Sequence, residues 1–194
     1  MKQQEVVDFF DSLAPEWDAR QIRDTDKIRT ILYLGGVRKG CDVLDVACGT
    51  GVLIPDYVSM GAGSITAIDI SPEMVTIAKS KFYDKARFIC GDAEKYDYGA
   101  LYDCIIIYDA SPHFPDLDHL IKHLTSYLRP GGKLTVAHSM GPLRLNCHHS
   151  GSAKRVSHVA YSAKELKEMF SHYLTVTAVV SDEDTYQVTG VLDI

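Results

Sequence analysis

Apolar positions along the chain follow two different periods. Val6, Val7, Phe9, Phe10 and Leu13 share one helical face that ends before Pro15, and Ile28, Ile31, Leu32 and Leu34 mark a second helix that stops at Gly35-Gly36. From there β-branched runs and helical stretches take turns: strands over residues 42–47, 64–69, 86–90, 102–108 and 133–137, interleaved with helices over 52–60, 72–82 and 115–128. Such alternation builds a parallel sheet whose strands are joined by crossover helices. Cys104-Ile105-Ile106-Ile107-Tyr108 reads as a strand covered on both faces. A helix over 163–170 and strands over 173–180 and 185–192, separated by Ser181-Asp182-Glu183-Asp184, predict a closing antiparallel hairpin.

The expected fold is α/β, a doubly wound, Rossmann-like arrangement with a mostly parallel seven-stranded sheet and a C-terminal antiparallel hairpin. At 194 residues one core can serve the whole chain, and no repeat or linker divides it. The expected layout is a single domain: N-terminal helices over 1–40, a core over 41–137, a long loop over 138–160, and a final helix and hairpin over 161–194. Residues 138–160 show no periodicity, and a loop of that length in a compact domain is usually functional.

Composition narrows the function. The N-terminus runs straight into an amphipathic stretch and no apolar run reaches membrane-spanning length, which predicts a soluble, cytoplasmic protein with no membrane partner. Five scattered cysteines without a C-x-x-C pair argue against a disulfide framework and a thiolate zinc site. A net charge of -6 disfavours general nucleic-acid binding. No Asp or Glu occurs from His119 to Lys164, a stretch with Arg144, Lys154, Arg155 and six of the eight histidines, so one side is expected to be electropositive.

The sharpest motif is Val43-Leu44-Asp45-Val46-Ala47-Cys48-Gly49-Thr50-Gly51, an apolar strand entering a small-residue turn and then a helix. Small residues allow close backbone approach by a ligand, and a helix N-terminus presents unpaired N–H groups. A dinucleotide fingerprint would need a third glycine where Ile54 stands, which disfavours a nicotinamide oxidoreductase. The stretch from Asp45 to Gly51 instead resembles the first motif, D-x-G-x-G-x-G, of class I S-adenosylmethionine-dependent methyltransferases, with Ala47 at the first glycine. Further likenesses follow in order: Asp69 closing the second strand, Ser71-Pro72-Glu73-Met74, Gly91-Asp92-Ala93, Tyr108-Asp109-Ala110, and Leu128-Arg129-Pro130-Gly131-Gly132-Lys133-Leu134.

The resemblance implies S-adenosylmethionine as cofactor and S-adenosylhomocysteine as product. It implies that Asp45, Ala47, Gly49 and Gly51 form the cofactor turn and that Asp69 accepts from the ribose hydroxyls. Ile70 and Met74 would be apolar walls at the adenine, Asp92 the acceptor of its exocyclic amine, Ala93 part of the ring pocket, and Asp109 a neighbour of the sulfonium. Cys48 reads as a small turn residue rather than a nucleophile. Phe10 and Trp17 read either as core aromatics or as a lid over the cofactor.

Open α/β sheets bind ligands outside the carboxyl ends of their strands, so the methyl acceptor is expected near Asp109, Ser111, His113, Phe114 and the loop from His138. Two roles compete for His113, His138 and His149, with His148 beside them: general base for an oxygen, nitrogen or thiol acceptor, or ligands of a divalent ion. The base is preferred and no metal expected, because that region supplies no carboxylate other than Asp109 and no tight i, i+4 histidine pair. The surplus of Arg144, Lys154 and Arg155 points to a small, anionic acceptor. A binding protein without turnover is the non-enzymatic alternative.

Overall fold

The computed structural model describes residues 2–148 and 152–193. Helices α1 (Gln3–Leu13), α2 (Trp17–Arg20) and α3 (Thr25–Leu34) precede the sheet. Then come β1 (Asp42–Val46), α4 (Ile54–Ser59), β2 (Ser64–Asp69), α5 (Pro72–Phe82), β3 (Arg87–Cys90), β4 (Tyr102–Tyr108), α6 (Leu117–Thr125) and β5 (Leu128–His138). The chain closes with α7 (Pro142–His148), α8 (Ala163–Ser171), β6 (Thr175–Ser181) and β7 (Tyr186–Val191). The seven strands form one sheet in the order β3-β2-β1-β4-β5-β7-β6. β1 to β5 pair in parallel, while β7 runs antiparallel to both β5 and β6. Among the described residues no helix is long and apolar enough to cross a membrane.

The two faces of the sheet can be read off β1 and β4. Leu44 and Val46 pack with Ile105 and Ile107 against Leu120, Ile121 and Leu124 of α6 and Leu166 and Phe170 of α8. Val43 packs with Cys104 and Ile106 on the other face against Ile28 and Leu32 of α3 and Ile54 and Tyr57 of α4. Successive strand residues point to opposite faces, so the apolar residues of β1 and β4 feed both cores.

Differences from the sequence expectation lie at element ends. The helix expected over 52–60 begins only at Ile54, because the left-handed glycines before it extend the turn. The helix expected over 115–128 is the shorter α6, opened by the Asp116 side chain accepting from the His119 N–H at 2.9 Å. β5 starts at Leu128 rather than 133 and takes Gly131-Gly132 into the strand as an irregularity opposite Tyr102 and Cys104. The stretch 138–160, expected without regular structure, contains α7 and a 3₁₀ turn over Ser152–Val156. α7 escaped notice because it lacks an apolar stripe: Leu145 is buried while Leu143 is exposed.

Three of the acid-free segment's seven cations lie beside acids. Arg129 binds Asp42 and Asp103, Arg144 binds Asp184, and Lys164 lies near Glu168. Acids from elsewhere in the sequence thus offset part of the expected electropositive side.

Candidate functional site

The chain leaves β1 through a turn held in left-handed backbone conformations, with φ of 56° at Ala47, 54° at Gly49 and 84° at Gly51. Only glycine adopts such angles without strain, so Ala47 is held there by its neighbours. The Cys48 N–H donates to the Ile68 carbonyl at 3.0 Å, tying the turn to β2. The Gly49 N–H donates to Asp69 Oδ2 at 2.8 Å, and the Ser71 N–H donates to Asp69 Oδ1 at 2.9 Å. Burial lifts the Asp69 carboxyl above its usual range despite these backbone donors.

A cavity of about 250 Å³ opens over the carboxyl ends of β1 to β4. Its wall collects Asp45, Ala47 and Gly49 from the first turn, Asp69, Ile70 and Met74 from β2 and α5, Asp92 and Ala93 after β3, and Asp109 after β4. Gly51 is not part of this wall: a Cβ there would lie 2.9 Å from Phe82, so its glycine serves the turn and its packing. Asp45 is almost completely buried, and its Oδ2 has no hydrogen-bond partner. Burial pushes its carboxyl up to about 8, with the Tyr57 hydroxyl working against the rise and the Asp69 charge adding to it. An orphaned carboxylate oxygen on a cavity wall fits a ligand that brings a cation or a donor. Asp92 accepts from Lys95 Nζ at 2.7 Å and from Gln3 Nε2 at 3.2 Å.

The N-terminal segment closes one side of the cavity. Phe10 and Trp17 both line it and meet edge to face at 5.8 Å, and Phe10 meets the His113 ring at 4.9 Å. Asp11 accepts from the Ser71 hydroxyl and the Glu73 N–H, at the start of α5. Asp18 accepts from Thr50 Oγ1 at 2.5 Å and Lys81 Nζ at 2.6 Å. Arg23 reaches Asp56 of α4. Of these anchors, Gln3, Asp11, Asp18 and Arg23 gave no signal in the sequence, because each bonds an element distant along the chain.

On the β4 and β5 side, His113 lines the cavity with its Nδ1 2.7 Å from the Val156 carbonyl, and the His158 N–H donates to the Pro112 carbonyl at 2.8 Å. These bonds dock residues 156–158 onto the turn after β4. His138, expected to face the acceptor, is completely buried and does not line the cavity. Its Nε2 is 2.7 Å from Ser111 Oγ, its Nδ1 3.5 Å from Asp109 Oδ1, and its ring stacks on Tyr186. His149 lies outside the described residues. Among the described residues no group of three or more His, Cys, Asp or Glu is arranged to hold a metal ion.

Residues 43–132 match a family profile described as a methyltransferase domain. The chain is 30% identical over 148 residues to the ubiquinone/menaquinone biosynthesis C-methyltransferase UbiE of Pseudomonas paraeruginosa, a match covering 70% of this chain and 58% of that protein. The chain thus spans less than two thirds of that relative's length. Among solved structures, a Haloferax volcanii putative methyltransferase in complex with the Trm112 methyltransferase activator superposes with a TM-score of 0.79 at 20% identity, covering 95% of this chain and 98% of that one. The magnesium protoporphyrin IX methyltransferase ChlM from Synechocystis PCC 6803, with bound SAH, superposes with a TM-score of 0.74 at 18% identity, covering 99% and 100%. Strand order, antiparallel hairpin and glycine turn define a class I methyltransferase fold. The chain thus carries a methyltransferase domain in that fold.

Proposed function

We propose that the chain, as one domain, transfers a methyl group from S-adenosylmethionine to a small molecule. The observation that carries this reading is the cavity wall itself: Asp45 with its unpartnered Oδ2, Asp69 at the end of β2 and Asp92 after β3 stand in sequence along the strand ends. When bound, the cofactor supplies an electrophilic methyl on sulfur. Asp45 would hold the ammonium of its amino-acid part, which is the cation its orphaned oxygen calls for. Asp69 already accepts two backbone N–H bonds, and a carboxylate has about four acceptor positions, so it retains capacity for ribose hydroxyls. Asp92 and Ala93 would flank the base, with Ile70 and Met74 as its apolar walls. Phe10 and Trp17 would cover the ligand and keep water from it.

For the acceptor, the cavity wall favours a hydrogen-bond donor over the anion that the sequence pattern pointed to. Its ionisable groups are the acids Asp45, Asp69, Asp92, Glu94 and Asp109 against Lys95, which is paired with Asp92. Arg144, Lys154 and Arg155 are not among the lining residues. His113 is the histidine placed to meet an acceptor.

Titration calorimetry with S-adenosylhomocysteine tests the reading. Binding at roughly micromolar affinity is expected for a small ligand with several polar anchors. Tight NAD binding with no response to S-adenosylhomocysteine would overturn it. Formation of S-adenosylhomocysteine from S-adenosylmethionine with any acceptor separates turnover from binding without turnover.

A further inference from the structure

We infer that Ser111 and His138 form a buried relay that aims the Asp109 carboxylate at the methyl acceptor, acting as positioning residues behind Asp109 rather than touching the ligand. This rests on the methyl-transfer reading above. The sheet order supplies the first step. β2 and β3 lie on one side of β1, with Asp69 and Asp92 at their ends, and β4 lies on the other. Asp109 follows β4 and so takes the opposite end of the cavity from the cofactor's nucleoside acids.

Local geometry supplies the second step. Asp109 is left-handed, with φ 53°, a conformation few non-glycine residues adopt without compensation. Its N–H donates to the Ala137 carbonyl at 2.9 Å, and its Oδ1 accepts from the Ser139 N–H at 2.7 Å. His138 then places Nε2 2.7 Å from Ser111 Oγ, a hydrogen bond, while its buried Nδ1, which has no hydrogen-bond partner, stands 3.5 Å from the same Asp109 oxygen as an electrostatic contact. A carboxylate only accepts, so it favours the proton on Nδ1; Nε2 then accepts, and the Ser111 hydroxyl donates.

This is the order of groups in a hydrolytic Ser-His-Asp triad, with a longer His–Asp contact and its open end reversed. Ser111 is 5% exposed and His138 fully buried, and neither lines the cavity, whereas Asp109 does. Ser111 therefore has no path to a substrate, and the carboxylate is the group presented.

Burial would lift the Asp109 carboxyl, but His138 and the Ser139 N–H more than offset it and hold it below the usual range. The other groups around the relay are the adjacent Tyr108, Arg23 near that phenol, Tyr186 stacked on His138, and Lys27 on the Ser139 carbonyl. A fixed, charged carboxylate accepts from an N–H, O–H or S–H and repels carboxylates and phosphates. The acceptor class assigned is a neutral or cationic hydrogen-bond donor.

The test is NMR of the full-length, cofactor-free protein with labelled histidine and aspartate. In the wild type the His138 proton should reside on Nδ1 and Asp109 should stay ionised to below the ordinary carboxylate range. His138→Gln should raise the Asp109 midpoint by about one unit or more, the scale of a lost favourable neighbour. Ser111→Ala, the milder change should the first variant not fold, should mix the His138 tautomers. With S-adenosylhomocysteine bound, millimolar methylammonium should move the Asp109 carboxyl resonance and acetate should not. A wild-type His138 protonated on Nε2, an Asp109 midpoint that ignores both variants, or a response to acetate alone overturns the proposal. An intact relay in a chain that binds no S-adenosylhomocysteine would place the fault in the methyl-transfer reading and remove the acceptor from the proposal.

Discussion

The Gly49 N–H donates to Asp69 Oδ2 at 2.8 Å, so the turn after β1 and the acid after β2 are one hydrogen-bonded unit. Asp69 thereby has two tasks, shaping the turn and, on the proposed reading, accepting from the ribose. Asp69→Ala should weaken S-adenosylhomocysteine binding by about 1.5–3 kcal/mol, the usual loss for a charged hydrogen-bond acceptor. Calorimetry at one pH checks this, and an affinity within a factor of two of wild type would take Asp69 out of the site.

Two glycines of the same turn should respond differently to alanine. At Gly51 a Cβ would meet Phe82 at 2.9 Å in a backbone held at φ 84°. Gly51→Ala should therefore cost about 1–3 kcal/mol of folding stability, the range for a strained left-handed residue. At Gly49 the nearest atom to an added Cβ is Trp17 Nε1 at an ordinary 3.7 Å, on the cavity wall. Gly49→Ala should cost only about 1 kcal/mol of stability but lose more in cofactor binding than Gly51→Ala. Denaturant melts paired with calorimetry separate the two effects. Equal losses in both measurements would mean that the turn has no cavity-facing side.

This turn also shows what the sequence can carry. The spacing of Asp45, Gly49 and Gly51, and Asp69 at a strand end, are local facts of one segment, and the parallel core was legible because short apolar, β-branched runs alternate with helical stretches. The anchors of the N-terminal segment were not legible. Asp18 to Lys81 and Arg23 to Asp56 join residues 63 and 33 positions apart, and a single acid or base in a polar stretch carries no mark of its partner. The histidines were misjudged for a related reason. His113 and His138 look alike in the sequence, and only packing places one on the cavity wall and buries the other beneath Asp109.

Trp17 is the chain's single tryptophan and it lines the cavity, so intrinsic fluorescence is a direct report on occupancy. Addition of S-adenosylhomocysteine should change its emission with the same midpoint that calorimetry gives. Phe10→Ala removes an edge-to-face neighbour of both Trp17 and His113 and should weaken binding by about 0.5–1.5 kcal/mol, the value of such a ring pair beyond its area. Emission that ignores saturating ligand would mean that the N-terminal segment does not cover it.

Asp45 makes one contribution of definite sign to the protein's pH response. Its carboxyl is pushed up to about 8 in the folded chain, chiefly by burial, and stands near 3.9 when unfolded. A raised folded value means that stabilisation from this site is fully present below the unfolded value and is lost as pH rises through about 8. Asp69, also raised by burial, adds with the same sign. Asp45→Asn, neutral at every pH, should then resemble wild type in stability below the unfolded value and exceed it increasingly as pH rises from there, the difference levelling off above about 8. A bound ammonium reverses the preference, because an opposite charge favours the ionised carboxylate. S-adenosylhomocysteine binding should therefore expel a proton from Asp45, and affinity should rise by up to about tenfold per pH unit through neutrality until the pH reaches about 8. Calorimetry at pH 7 in buffers of different ionisation heat counts that proton. A count of zero with a flat affinity profile would show that the ligand's ammonium does not dock on Asp45, and Asp45→Asn would then bind as wild type does.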